Sequence, residues 1–189
     1  MKVEGEHLFT GTQQQAWDLF RDTEVMAAAL PGTKKMELIG ENTYEAVMNV
    51  RVGPVVGEFS GQLVISNEDH PNSYTMTVDG RGKPGFLKGV GDVILTNQGE
   101  NQTLMGYTGE VQIGGKLAAV GQRLIDTVAK SIISQAFETL DNALAERVSA
   151  EAEGREAAYR KSSESDYAAT VAKDLIKNVL KRTGSSEDS

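Results

Sequence analysis

The sequence predicts an α+β fold in which a curved antiparallel sheet of about seven strands wraps around one long C-terminal helix. Hydrophobic side chains recur at steps of three and four over residues 115–147, which is the pattern of a long amphipathic helix. Hydrophobic and polar side chains alternate over most of residues 33–113, as in strands that bury one face. Short, turn-rich links separate these strands, which favours an antiparallel meander over a parallel sheet with crossover helices.

Two short helices are expected between the first strand and the meander. Residues 2–9 alternate and predict that first strand. Thr12 and Gln15 have the spacing of a capping box, in which each side chain bonds a free backbone amide at a helix start. A second helix is expected over residues 24–30, and Leu30-Pro31-Gly32 ends it because proline disfavours helix at the residue before it.

The alternating region predicts the remaining strands of the sheet. They are expected around residues 36–38, 44–52, 59–65, 74–78, 89–96 and 103–113. Several glycines fall inside these strands, where glycine marks a bend or a close approach of the backbone. A sheet that curls around a helix needs such bends.

The composition excludes several classes of function. The chain has 189 residues, no cysteine, two histidines and a formal net charge of -8. Nucleic-acid binding needs a basic face, which argues against that class. Disulfides, thiolate metal sites and cysteine catalysis need cysteine, and so few histidines argue against a transition-metal site. No catalytic pair is identifiable, so the sequence assigns neither catalytic nor metal-binding residues.

The N-terminus lacks the apolar core of a signal peptide, and no apolar run approaches the roughly 20 residues of a membrane span. A cytoplasmic protein is therefore expected. The composition divides the chain into a folded domain at residues 1–148, a polar linker at 149–166 and an amphipathic, basic tail at 167–189.

The tail has an apolar face and a basic face. The apolar residues are Val171, Leu175, Ile176, Val179 and Leu180, and the lysines are Lys173, Lys177 and Lys181. This profile is typical of a helix that lies on a membrane surface or docks into a partner's groove. A solvated helix that folds back on the domain is the alternative interpretation.

Two further sequence features resemble functional sites but lack residues that such sites require. His7 falls on one face of the first strand, yet no carboxylate is identifiable beside it, so a surface or satisfied histidine is expected. Residues 80–85 superficially resemble a phosphate-binding loop but lack the Gly-Lys-Ser/Thr ending. We interpret them as a hairpin near a pocket entrance, with Phe86 and Leu87 as apolar lid residues.

Three sequence motifs, in order, resemble those of the G-subunit family of carbon monoxide dehydrogenase. They are Leu30-Pro31-Gly32, then Val52-Gly53-Pro54-Val55 with Phe59-Ser60-Gly61, and Gly115-Lys116-Leu117-Ala118-Ala119-Val120-Gly121-Gln122-Arg123. The likeness covers residues 1 to about 147. The resemblance implies the helix-grip fold of the polyketide-cyclase, START and birch-pollen-allergen superfamily. It also implies an accessory role beside a molybdenum hydroxylase: maturation, membrane recruitment or electron delivery.

A ligand cavity is expected between the sheet and the start of the long helix. Alternation alone favours an ordinary packed core, whereas the long helix over a bent sheet and the family resemblance favour a real pocket. Gly121 is included because glycine inside a helix costs about 1 kcal/mol relative to alanine, which close approach by the sheet or a ligand would offset. The predicted lining is Tyr44, Met48, Phe59, Leu63, Tyr74, Met76, Phe86, Leu87, Met105, Tyr107, Val111, Leu117, Val120, Gly121 and Leu124.

The functional expectation is a non-enzymatic accessory protein with no covalent cofactor. It would bind a quinone or another isoprenoid lipid in the cavity and recruit a carbon monoxide dehydrogenase-type enzyme to the inner face of the cell membrane for electron transfer. Two alternatives stay open. One is a cyclase, dehydratase or hydrolase acting on a hydrophobic molecule, and the other is an assembly factor without a ligand.

Overall fold

The computed structural model describes residues 1–99 and 101–154. One sheet, two short helices and one long helix make up this part of the chain. The elements are β1 (Lys2–Thr10), α1 (Gln13–Arg21), α2 (Thr23–Ala29), β2 (Thr33–Gly40), β3 (Thr43–Val52), β4 (Val55–Asp69), β5 (Ser73–Gly82), β6 (Gly85–Asn97), β7 (Gln102–Gly115), one 3₁₀ turn (Ala118–Val120) and α3 (Gln122–Glu153).

The seven strands form one antiparallel sheet in the order β1-β7-β6-β5-β4-β3-β2. Strands β2 to β7 are a meander, and β1 pairs with β7 at the far edge. Helices α1 and α2 therefore carry the chain from one edge of the sheet to the other. This architecture confirms the predicted fold class, including the two helices after the first strand.

Helices α1 and α2 close one end of the molecule. The predicted capping box is present, since Thr12 Oγ1 accepts from the Gln15 amide and Gln15 Oε1 accepts from the Thr12 amide. Asp22 ends α1 and begins α2, where its carboxylate accepts from the amides of Glu24 and Val25. These caps hold the apolar sides of both helices against the larger core cluster. That cluster includes Phe9, Trp17, Leu19, Phe20, Val25, Tyr74 and Leu144.

The predicted start and end of the long helix were wrong. Gly115 has a φ of +75° and Gly121 a φ of +94°, so neither has helical backbone, and α3 begins at Gln122. The spacing of Leu117 and Val120 imitates a helix, but these residues lie in a loop and a 3₁₀ turn. The helix continues past residue 147 to Glu153, where left-handed Gly154 caps it.

Residues 149–153 of the expected linker are therefore helical. The rest of that linker and the tail with its Val171, Leu175, Ile176, Val179, Leu180, Lys173, Lys177 and Lys181 lie outside the described residues.

Candidate functional site

A cavity of about 380 Å³ lies between the concave face of the sheet and the N-terminal half of α3. Hydrocarbon side chains dominate its walls. The helix contributes Ile125, Val128, Ala129, Ile132 and Ile133. The sheet and its connections contribute chiefly Met1, Val3, Pro31, Met48, Val50, Val52, Met76, Val78, Leu87, Gly89, Gly91, Val93, Tyr107, Gly109, Val111, Ile113 and Leu117.

Glycines in the middle of the sheet leave this space unfilled. In the strand register, Met76 of β5 pairs with Gly91 of β6, Gly91 pairs with Gly109 of β7, and Gly109 pairs with Val3 of β1. This row crosses four strands, and its two central positions carry no side chain. A Cβ on Gly91 would lie 2.8 Å from the carbonyl oxygen of Thr108, so the close backbone contact requires glycine there.

The cavity lies between two packed regions. Met76, Val93 and Tyr107 also contact the larger cluster, which α1 and α2 complete. At the other end, Val52 and Leu117 belong to a smaller cluster with Phe59 and Val128. Close-packed side chains therefore bound the cavity at both ends, so the cavity does not result from loose packing throughout the core.

The structure brings together part of the predicted lining. Met48, Met76, Leu87, Tyr107, Val111 and Leu117 line the cavity. Their role in binding a ligand stays a prediction, because the cavity shows a place for a ligand and not an occupant.

The other predicted residues lie elsewhere. Tyr44, Tyr74 and Met105 are buried in the larger cluster and Leu63 packs against it, because α1 and α2 fill that end of the concave face. Phe59 is buried in the smaller cluster, and Val120 and Leu124 pack against it.

Phe86 and Gly121 need separate corrections. Consecutive strand residues face opposite sides of a sheet, so Leu87 on the concave face places Phe86 on the convex face, where it is 39% exposed. The pair cannot both be lid residues. A Cβ on Gly121 would have no heavy atom within 4 Å, so no close approach explains this glycine. Its positive φ explains it.

The predicted lining includes none of the five residues that α3 contributes, which are Ile125, Val128, Ala129, Ile132 and Ile133. The signal that could have found them is the apolar stripe itself, because all five belong to it. The glycines at 89, 91 and 109 were also missed. Their inward position on alternating strands was the available signal.

Tyr107 brings a polar atom to this apolar space. Its ring lies against Phe137 of α3, with ring centroids 5.7 Å apart. A Cβ on the paired residue Gly5 would lie 2.7 Å from Cζ of Tyr107, so the absence of a side chain at Gly5 lets the phenol extend over β1. A tyrosine hydroxyl is protonated at neutral pH and can donate a hydrogen bond, and burial raises the pKa of Tyr107 further above its ordinary value.

His7 is a satisfied histidine, as expected, but its carboxylate partner was not identifiable from the sequence. His7 Nε2 lies 2.9 Å from Oδ2 of Asp141, and its ring stacks on Phe137 at a centroid distance of 4.4 Å. The partner is 134 residues away along the chain, so no local pattern could reveal it. The pair joins β1 to α3. Neither residue lines the cavity.

Within residues 1–99 and 101–154, no group of three or more His, Cys, Asp or Glu side chains is placed to hold a metal ion. No helix in the same part of the chain is long and apolar enough to cross a membrane.

Several solved structures of other proteins are similar in fold to this chain. A conserved protein from Geobacillus kaustophilus is 31% identical, with a TM-score of 0.73 over 77% of this chain and 95% of that one. The Zhui aromatase/cyclase from Streptomyces sp. R1128 is 11% identical, with a TM-score of 0.60 over 78% and 95% of the two chains. A START superfamily protein from Mycobacterium smegmatis is 11% identical, with a TM-score of 0.57 over 76% and 96%.

At 11% sequence identity, the similarity to the last two structures is evidence only for a shared fold. A search of curated protein sequences gave no match. The family model for the G subunit of carbon monoxide dehydrogenase (CoxG) matches residues 5–145, which contain every strand from β2 to β7 and most of α3. The chain therefore belongs to the CoxG family, named for the G subunit of carbon monoxide dehydrogenase.

Proposed function

We propose that this protein is a non-enzymatic accessory protein that binds an apolar small molecule in the cavity. The observation that carries the proposal is a cavity of about 380 Å³ with hydrocarbon walls. This volume is within the range of about 300–1,000 Å³ found for small-molecule pockets. Transfer of an apolar molecule from water to such walls is favourable by roughly 25 cal/mol per Å² of buried apolar surface.

A quinone or another isoprenoid lipid is the ligand class we propose. The head group of a quinone is a flat, largely apolar ring, and its isoprenoid chain is hydrocarbon. Both suit walls of Ile, Val, Leu and Met side chains, such as Ile125, Val128 and Met76. A quinone also accepts electrons, which gives the ligand a use beside an oxidising enzyme.

The proposed partner is a carbon monoxide dehydrogenase-type molybdenum hydroxylase. The family description supports this class of enzyme. Such an enzyme must pass on the electrons that it removes from its substrate, and the bound quinone would accept them. The amphipathic tail at residues 167–189 would bring the complex to the membrane surface, where quinones are replenished.

A second candidate is a cyclase, dehydratase or hydrolase that acts on a hydrophobic molecule. The His7–Asp141 contact of 2.9 Å favours it, since a histidine bonded to a carboxylate is a common acid–base pair. The pair is absent from the cavity lining, which is why we rank this candidate second. A third candidate is an assembly factor that binds no ligand.

Organic extraction of the purified full chain, followed by mass spectrometry, tests the proposal. We expect a co-purifying quinone or prenyl lipid at a stoichiometry that falls when the cavity is blocked. A chain that yields no lipid and does not bind added quinone would be an assembly factor. A ligand that is chemically converted on incubation would favour the enzyme.

Membrane recruitment has its own test. Co-sedimentation with anionic vesicles compares the full chain with a truncation after Gly154, which retains the whole of α3 and its cap. We expect only the full chain to sediment, and less of it at high salt because the basic face is screened. Equal sedimentation of the two chains would contradict a membrane role for the tail.

A further inference from the structure

Some polar residues border the cavity with their backbone but direct their side chains away from it. Asn49, Asp92 and Thr108 alternate with inward-facing neighbours, and so their side chains lie on the convex face of the sheet. Asp92 Oδ1 accepts a hydrogen bond from Thr75 Oγ1 at 2.7 Å on that face. Among the described residues, Tyr107 is therefore the one lining side chain of the concave face that carries a hydroxyl, and this hydroxyl lies over Gly5 at the edge of the cavity.

The position of this hydroxyl is well defined. Tyr107 lies in the middle of β7, between Val93 of β6 and Gly5 of the edge strand β1. Phe137 of α3 packs on its ring, and the missing side chain of Gly5 gives the phenol its place over β1. Within the described chain the hydroxyl has no protein hydrogen-bond partner. The donor is thus held at the boundary between the edge strand and α3, where no protein acceptor competes with a ligand for it.

A donor without a protein partner at the edge of an apolar cavity fixes the orientation of a ligand that carries one acceptor. Apolar contacts give affinity but no direction, whereas a hydrogen bond is directional and is lost when the acceptor is absent. Ligand pockets commonly combine a predominantly apolar wall with a few placed polar groups for this reason.

We propose that the Tyr107 hydroxyl donates the orienting hydrogen bond to a ligand oxygen, so that the cavity selects apolar molecules with a carbonyl-type acceptor at one end. The acceptor then lies at the edge between β1 and α3, beside Gly5 and Phe137. The apolar body extends toward Val52 and Leu117 at the other end of the cavity. This inference rests on the proposed function and narrows it to a ligand with a defined polar end.

A pair of matched ligands and one substitution test the inference. The probes are 2-methyl-1,4-naphthoquinone and 2-methylnaphthalene, which share a ring system but differ in the carbonyl oxygens. Binding of each is measured by titration with the full chain, in the wild-type protein and in Tyr107→Phe. We expect Tyr107→Phe to weaken the quinone about fivefold, the loss typical of one neutral hydrogen bond, and to leave the hydrocarbon unchanged.

Two further variants complete the design. Tyr74→Phe removes a hydroxyl from a tyrosine buried in the larger cluster, outside the cavity lining, and should change neither affinity. Gly5→Ala displaces the phenol without removing it and should weaken only the quinone. Thermal unfolding of each variant establishes that it is folded.

The outcomes separate this inference from the proposed function. If Tyr107→Phe leaves both affinities unchanged, or weakens both ligands equally, the hydroxyl does not orient the ligand and the inference is overturned, while the cavity still binds apolar molecules. If the wild-type protein binds neither probe, the proposed function fails and the inference fails with it.

Discussion

Glycine 89 shows how single residues determine the volume of the cavity. It faces the cavity between Val78 of β5 and Val111 of β7, which are its partners in the strand register. A Cβ there would lie 3.5 Å from the nearest atoms, the Glu110 carbonyl oxygen and Cγ2 of Val111. That distance is ordinary van der Waals contact, so the backbone would accept a larger side chain at this position.

We therefore expect Gly89→Leu to fill the cavity without unfolding the protein. The leucine would bury its side chain on the concave face, which is worth about 1.5–3 kcal/mol of stability before any loss elsewhere. Lipid recovered by extraction should fall at least about tenfold, a loss of 1.4 kcal/mol in binding. Gly106→Leu on the convex face is the matched control, since a Cβ there meets no atom within 4 Å. Equal lipid recovery from both variants would contradict the cavity as the binding site.

Gly121 does not mark a close approach inside a helix, as the sequence pattern suggested, but provides an unusual backbone conformation. Its φ of +94° and ψ of 145° belong to a region that residues other than glycine rarely adopt. We expect Gly121→Ala to lower the free energy of unfolding by about 1–3 kcal/mol, because alanine is strained at these angles. Urea denaturation measures this loss, with Gly106→Ala as the control. A change below about 0.5 kcal/mol would show that the loop relaxes and that the positive φ is not required.

At the scale of elements, Asp22 connects three helices. Its carboxylate accepts from the first amides of α2, and Oδ2 also contacts Nη2 of Arg147 on α3 at 2.8 Å. Both side chains are partly exposed, 28% for Asp22 and 22% for Arg147. The cap and the ion pair together fix the closed end of the molecule, where α1, α2 and the C-terminal half of α3 meet.

Substitutions at Asp22 separate the cap from the ion pair. Asparagine is also a good N-cap, so Asp22→Asn should keep the cap and lose less than about 1 kcal/mol from the partly exposed ion pair. Asp22→Ala removes both and should cost about 1–2 kcal/mol more through the lost cap. The free energies of unfolding of the two variants are compared by urea denaturation. If asparagine costs as much as alanine, the ion pair and not the cap stabilises this corner.

The elements themselves were largely predictable from local patterns. The capping box at Thr12, the alternation in the strands and the apolar stripe of α3 are properties of neighbouring residues. The start of α3 was not predictable from periodicity, because Leu117 and Val120 fit a helix while the glycines at 115 and 121 require other backbone angles. Glycine position was the better signal there than apolar spacing.

At the scale of the whole molecule, the site was harder to predict than the fold. Alternation predicts which face of a strand a residue occupies, and it would have separated Leu87 from Phe86. It does not predict which part of the concave face α1 and α2 cover, and so Tyr44, Tyr74 and Met105 were assigned to the cavity although they lie in the core. Contacts between distant residues, such as His7 with Asp141, depend on the assembled fold.

The central claim is that an apolar ligand binds between the concave sheet and the N-terminal half of α3. Methyl NMR of isoleucine side chains, during titration of the full chain with 2-methyl-1,4-naphthoquinone, tests it most directly. Ile113, Ile125, Ile132 and Ile133 line the cavity, whereas Ile39 and Ile94 are exposed outside it. We predict saturable shifts of the cavity methyls with Ile39 and Ile94 unchanged. Shifts confined to Ile39 and Ile94, or no shifts at all, would contradict the claim.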